Sequence, residues 1–216
     1  HISDAFYVLI GLWQRYWLLG RLKPHVLFVP EGVVGVPVGM AAAARHIPFI
    51  THDSDALPGL ANRIIARWAA RHAVALPEQV YSYPAAKTVT VGVPVHSNYP
   101  PLNTEAVQQN KKELGLKPQA KVVLVTGGGL GAQRLNEAVA SILPEVLDAF
   151  PDLTIVQTVG RMHEAAVQKV YEQKLSAEQQ SRVVVKGYVP DLYRYSGAAD
   201  VIITRAGATA VAEFAV

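Results

Sequence analysis

Eight short runs rich in β-branched residues recur along the chain, at 25–29, 48–51, 73–76, 88–91, 122–125, 154–158, 183–186 and 201–204. Longer stretches with helical periodicity separate most of them. Strands that alternate with helices predict an α/β fold with parallel sheets, because a parallel pair needs a crossover long enough to hold a helix. The rhythm breaks at Gly92-Val-Pro-Val-His-Ser-Asn-Tyr-Pro-Pro, ahead of a polar helix expected over 104–114 and closed by Gly115. This reads as a linker over 96–104 between two Rossmann-like domains, 1–95 and 105–216. Two such units would place a ligand cleft between the carboxyl ends of their sheets.

Composition narrows the function classes. Half of the 216 residues are hydrophobic, enough for well-buried cores, and cysteine is absent. Disulfides, thiolate metal sites and a Cys nucleophile are therefore excluded, and a reducing compartment, the cytoplasm, is expected. No apolar run is long enough to span a bilayer. The net charge of +3 is concentrated at one end: residues 1–72 hold seven Lys/Arg against four Asp/Glu, and the remainder hold thirteen of each. An anionic partner is expected to meet the first third. The basic residues form no run and no recognisable nucleic-acid module, so nucleic acid is not read as that partner. The chain opens on His1 without a methionine and stops inside a helical pattern, so both domains are expected to be incomplete, and no turnover is expected of these residues alone.

The stretch TGGGLGAQRLNE, 126–137, follows the fifth apolar run. Gly127, Gly129 and Ala132 satisfy the loose G-x-G-x-x-G/A pattern of a dinucleotide loop. That pattern expects a carboxylate about 20 residues on to hold the ribose of NAD, and the next strand, Leu153-Thr-Ile-Val-Gln-Thr-Val, has none. A nicotinamide cofactor is disfavoured. The amides of Gly128, Gly129 and Leu130, with the start of the next helix, suit another phosphate or only a tight turn.

Four stretches follow one another in order: Gly32-Val-Val-Gly-Val-Pro-Val-Gly-Met-Ala-Ala-Ala, His52-Asp-Ser-Asp-Ala-Leu-Pro-Gly-Leu-Ala-Asn-Arg, Gly127-Gly-Gly-Leu-Gly-Ala-Gln-Arg-Leu-Asn and Asp200-Val-Ile-Ile-Thr-Arg-Ala-Gly-Ala-Thr-Ala-Val-Ala-Glu. Together they resemble the MurG-like family of lipid I N-acetylglucosaminyltransferases, which has the two-domain GT-B fold. The resemblance implies transfer of N-acetylglucosamine from UDP-N-acetylglucosamine to undecaprenyl-pyrophosphoryl-MurNAc-pentapeptide with inversion, in peptidoglycan synthesis. The UDP-sugar is then a substrate, no cofactor or metal is called for, and the enzyme sits on the cytoplasmic face of the membrane. It also implies that Glu213 holds the ribose hydroxyls, that Val189 meets the uracil through its backbone, and that Gly32 and Asn62 belong to the acceptor side. His96 stands where the family has an arginine beside the donor diphosphate.

Two further features carry chemistry. His52, Asp53 and Asp55 form an acid/base group able to take the proton of an acceptor hydroxyl, although an Asp before Pro58-Gly59 can equally cap a helix. Residues 6–22 place Phe6, Leu9, Trp13, Tyr16 and Trp17 nearly all round a helix, with Arg15, Arg21 and Lys23 beside them. Such a helix is either buried or interfacial against an anionic membrane surface. Two alternatives stay open: the changed acceptor-loop residues Asp53, Ser54 and Asp55 after His52 allow a related lipid-directed UDP-sugar transferase with another acceptor, and the changes at Gly129, Gln133 and His96 allow a non-catalytic nucleotide-sugar-binding subunit.

Overall fold

The computed structural model describes residues 2–215, with side chains from Ile10 onward. The chain divides into two compact units between Pro94 and Val95. The whole expected linker, 96–104, and Val95 therefore group with the second unit.

In the first unit, helix α1 (Ile2–Leu22) precedes strand β1 (Leu27–Val29), helix α2 (Gly35–Ala44), β2 (Phe49–Asp53), α3 (Leu60–Ile65), β3 (Arg71–Val74) and β4 (Thr88–Thr90). The four strands are parallel, in the order β1-β2-β3-β4. Leu19 of α1, Ala41 and Ala42 of α2 and Ile65 of α3 pack on Val29 and Phe49. Gly39 is required there, because a Cβ would lie 2.9 Å from the Ile65 side chain. The pleat sends alternate residues to opposite faces. Phe28 and Val89, on the face turned from this core, are about half exposed.

The third strand begins two residues earlier than its apolar run suggests. Arg71 and His72 look polar, yet His72 is buried: Thr51 Oγ1 lies 2.8 Å from its Nδ1, and its ring stacks on Tyr83 at 4.0 Å. Burial pushes its pKa down, partly opposed by Asp53, with Lys87 adding to the depression.

The second unit runs α4 (Thr104–Glu113), β5 (Lys121–Thr126), α5 (Gln133–Ala149), β6 (Leu153–Thr158), α6 (Glu164–Lys174), α7 (Ala177–Gln180), β7 (Val183–Lys186), α8 (Leu192–Ala198), β8 (Val201–Thr204) and α9 (Ala208–Phe214). Asn103 caps α4 by accepting from the Ala106 amide at 2.8 Å, and Gly115 ends it with φ +69°. The parallel sheet has the order β7-β6-β5-β8. One face packs Val125 and Ile155 against Leu143 and Leu147 of α5 and Tyr171 of α6, and the other packs Val122, Leu124 and Val156 against Leu192 and Tyr195 of α8. Pro144, inside α5, cannot donate to the carbonyl of Ala140. Lys174 Nζ donates to that oxygen at 3.4 Å.

Candidate functional site

The strand order of the second sheet points to a candidate crevice for a ligand. The chain steps outward from β5 to β6 to β7, then returns to place β8 on the other side of β5. Open α/β sheets bind ligands at the carboxyl ends of strands that flank such a reversal, here β5 and β8. The glycine loop follows β5 and Arg205 follows β8. The Arg205 guanidinium comes within 3.7 Å of the position a Cβ would take on Gly128.

The loop is shaped by particular glycines. Gly128 and Gly131 have φ +81° and +78°, and the Gly131 amide donates to the Gly128 carbonyl at 2.9 Å. A Cβ on Gly127 would lie 2.6 Å from the Ala132 nitrogen, and one on Gly131 would lie 2.1 Å from the Val159 carbonyl oxygen. At Gly129 there is open space. Thr126 Oγ1 accepts from the Gly128 amide at 3.3 Å and from Thr158 Oγ1 at 2.7 Å, tying the loop to β6. Gly128, Gly129 and Leu130 are exposed. Helix α5 begins with neither a side-chain cap nor an acid in its first turn, so its N-terminal dipole is left for an anion.

The other expected donor residues are spread over the second unit. Val189 is buried in the turn before α8, next to the exposed Tyr188, over which Arg161 lies at 4.4 Å. His96 is exposed, and its Nδ1 accepts from the Asn98 amide at 3.1 Å. Glu213 is half-buried and faces Tyr99 at a cavity of about 30 Å³ shared with Leu102 and Tyr193. Burial, then the charge of Glu213 and the hydrogen bond to it, push the Tyr99 hydroxyl up to about 12. A carboxylate accepts several hydrogen bonds, so Tyr99 leaves acceptor capacity on Glu213. Sequence reasoning gave no role to Arg205 or Tyr99. Arg205 was signalled by its place between a strand end and Gly207.

On the first unit, the expected acid/base group does not come together. His52 and Asp53 are successive residues of β2, and the pleat sends them to opposite faces. His52, 4% exposed, has Nε2 3.0 Å from the Gly92 carbonyl oxygen and Nδ1 3.5 Å from Ser54 Oγ. Asp53 is fully buried on the helix-covered face; it accepts from the Gly59 amide at 3.3 Å and from the Tyr83 hydroxyl at 2.9 Å. Burial raises the pKa of Tyr83, and the bond to Asp53 raises it further. Asp53 thus holds the residue that opens α3. Asp55 is exposed, and its carbonyl accepts from the Tyr81 hydroxyl at 3.0 Å.

Asn62 is also fully buried. Its Nδ2 donates to the His52 carbonyl at 2.8 Å, and its Oδ1 lacks a partner among the described residues. Gly32 has φ +124° and open space around it. Its neighbour Glu31, unassigned from sequence, is exposed and accepts from the Ser54 amide, joining the loops after β1 and β2. No cluster of three or more metal-ligating side chains occurs among the described residues.

Comparison with known proteins agrees across both units. Residues 1–74 match the glycosyltransferase family 28 N-terminal domain and residues 122–216 its C-terminal domain. A UDP-N-acetylglucosamine–N-acetylmuramyl-(pentapeptide) pyrophosphoryl-undecaprenol N-acetylglucosamine transferase of Lachnospira eligens is 36% identical over 99% of this chain and 56% of its own length. The enzyme of the same name from Natranaerobius thermophilus is 32% identical over 94% of this chain and 54% of its own. The crystal structure of Acinetobacter baumannii MurG superposes with a TM-score of 0.67 at 25% identity, covering 98% of this chain and 55% of that one. The chain spans about half the length of the curated relatives it matches. With both domain models matched in order on two parallel α/β units, the chain belongs to glycosyltransferase family 28.

Proposed function

We propose that the chain supplies donor- and acceptor-binding units of an inverting transferase that moves N-acetylglucosamine from UDP-N-acetylglucosamine to undecaprenyl-pyrophosphoryl-MurNAc-pentapeptide. The observation that carries the reading is the Arg205 guanidinium beside Gly128, at the strand reversal of a unit belonging to this family. In this reading the exposed amides of Gly128 to Leu130, the start of α5 and Arg205 receive the diphosphate. Glu213, oriented by Tyr99, takes the ribose, and the backbone at Val189 takes the uracil. His96 is a further neighbour of the diphosphate. The UDP-sugar is a substrate, and the reading uses no cofactor or metal. The acceptor belongs to the first unit, on the side of Gly32 and Asn62, where Asp55 keeps an exposed carboxylate for the acceptor hydroxyl's proton.

Titration of UDP, pyrophosphate and NAD against the protein tests the donor site. UDP is expected to bind best. Arg205→Ala is expected to weaken both UDP and pyrophosphate about tenfold, the scale of one charge-assisted contact, and Glu213→Ala to weaken UDP alone. Equal or tighter NAD binding, or an Arg205→Ala variant with unchanged pyrophosphate affinity, contradicts the assignment. Transfer of labelled N-acetylglucosamine by the intact protein to the lipid-linked acceptor, and not to other polyprenyl-linked sugars, tests the acceptor.

The same reading places the first unit against the cytoplasmic face of an anionic membrane. Among the described residues no helix is long and apolar enough to cross a bilayer. Helix α1 is neither wholly buried nor wholly exposed: Leu19 is in the core, while Trp13 and Trp17 are 67% and 60% exposed. The side chains of Phe6 and Leu9 lie outside the described residues. Arg21 and Lys23 are exposed near the end of α1, and Arg67 lies 4.0 Å over the half-exposed Trp68. Indoles beside cations suit the headgroup layer. Vesicle binding is expected to rise with anionic lipid, fall with salt, and drop about tenfold or more in Trp13→Ala/Trp17→Ala. Binding that ignores both salt and the double substitution returns this face to another role.

A further inference from the structure

We propose that His52 is a positioning residue, which fastens the chain's exit from the first unit to the carboxyl end of β2, rather than a group that carries a proton in the reaction. A carbonyl oxygen only accepts, so the 3.0 Å contact with Gly92 requires the hydrogen on Nε2. In the neutral ring Nδ1 is then the lone-pair nitrogen, and it faces the Ser54 hydroxyl at 3.5 Å. The ring is 4% exposed, with Phe28 centred 6.1 Å away. Neither nitrogen is presented to solvent as a base must be to meet a substrate hydroxyl.

The partner of that bond lies at a distinctive place. Strand β4 ends at Thr90, and the Val91 amide continues its ladder by donating to the Val74 carbonyl at 2.8 Å. At Gly92 the backbone turns left-handed, φ +78°, although a Cβ there would touch nothing within 4 Å. The glycine is needed for its conformation, not for space. Two residues later, after Pro94, the first unit ends. The His52 backbone is held too, its carbonyl accepting from Asn62 of α3 at 2.8 Å. One residue therefore joins β2, α3 and the segment on which the chain continues toward Val95.

Glutamine separates a tether from a base. Its terminal amide places an N–H about where Nε2–H of histidine lies, but it has no basic lone pair. Exchange of the Val91 amide, bonded to the Val74 carbonyl next to Gly92, reads the tether without any assumption about activity. His52→Ala is expected to speed exchange there about tenfold or more, and His52→Gln to stay within about threefold of the parent, since one buried hydrogen bond is at stake. Gly92→Ala strains the same bond from the carbonyl side and is expected to reproduce the His52→Ala pattern. Unchanged exchange in His52→Ala or in Gly92→Ala overturns the tether.

The activity arm rests on the proposed transferase. His52→Gln is expected to keep turnover within about threefold and the acidic limb of the pH profile intact, whereas loss of a general base costs about a hundredfold or more. A His52→Gln protein with normal exchange but turnover as low as His52→Ala makes the ring a proton carrier and overturns the assignment. Failure of UDP to bind any variant or the parent would instead remove the transferase reading and leave the exchange result standing.

Discussion

Gly131→Ala is expected to destabilise the second unit by about 2–4 kcal/mol, while Gly129→Ala changes it by less than about 1 kcal/mol. Two effects add at Gly131. Its φ of +78° costs an alanine roughly 1 kcal/mol, and the new Cβ would begin 2.1 Å from the Val159 carbonyl oxygen, far inside contact distance. The loop must then move away from the turn after β6, where Gly160, at φ +90°, leaves no room of its own: a Cβ there would lie 2.5 Å from the Leu130 carbonyl oxygen. UDP affinity is expected to fall about tenfold with it, because the amides of Gly128 to Leu130 lose their aim. Urea unfolding and calorimetric titration of the two variants give the comparison. Equal effects at 129 and 131 would mean that the loop is not held against Val159 in solution.

Asp53→Ala is expected to cost about 2–4 kcal/mol of stability, measured by urea unfolding, with Asp53→Asn losing roughly half as much. The carboxylate is fully buried, and its removal strands the Tyr83 hydroxyl and the Gly59 amide together. Asparagine keeps one accepting oxygen. Its amide nitrogen only donates, so one of the two donors loses its acceptor unless the Tyr83 hydroxyl turns to accept from it. UDP binding, assigned to the other unit, is expected to be unchanged. If Asp53→Ala unfolds normally yet turnover collapses, the side chain works on substrate and the buried bonds are incidental.

The fold was legible because period and punctuation agree along the chain. All eight apolar runs became strands, and boundaries moved where a polar residue is buried, as at His72, or where a ladder continues into charged residues, as at Lys121. The glycine loop was legible as a phosphate candidate, but not which glycines matter. Gly129 matches the dinucleotide pattern and has open space, whereas Gly131 is locked against the carbonyl of Val159, in the turn just past β6. At 52–55 the side chains are set apart for a geometric reason. Adjacency in sequence suggests a cluster, but β2 extends through Asp53 and separates its neighbours by the width of the sheet. Gly92 and Tyr83, which occupy His52 and Asp53, lie 40 and 30 residues further along, a separation that a local pattern does not carry.

Asn136 at the start of α5 gives the glycine loop a property that glycine-rich segments ordinarily lack. Its Nδ2 donates to the Val159 carbonyl at 3.0 Å, its Oδ1 accepts from Gln157 at 3.1 Å, and Gln157 accepts in turn from the Tyr171 hydroxyl at 2.5 Å. All three side chains are buried, so the carbonyl against which Gly131 rests is anchored through the sheet to α6. Much of the ordering entropy of the loop is thereby lost on folding rather than on ligand capture. In the proposed donor reading a diphosphate would meet a preshaped cradle, so its arrival would be governed by diffusion and the field of Arg205, and salt is expected to slow association more than it speeds release.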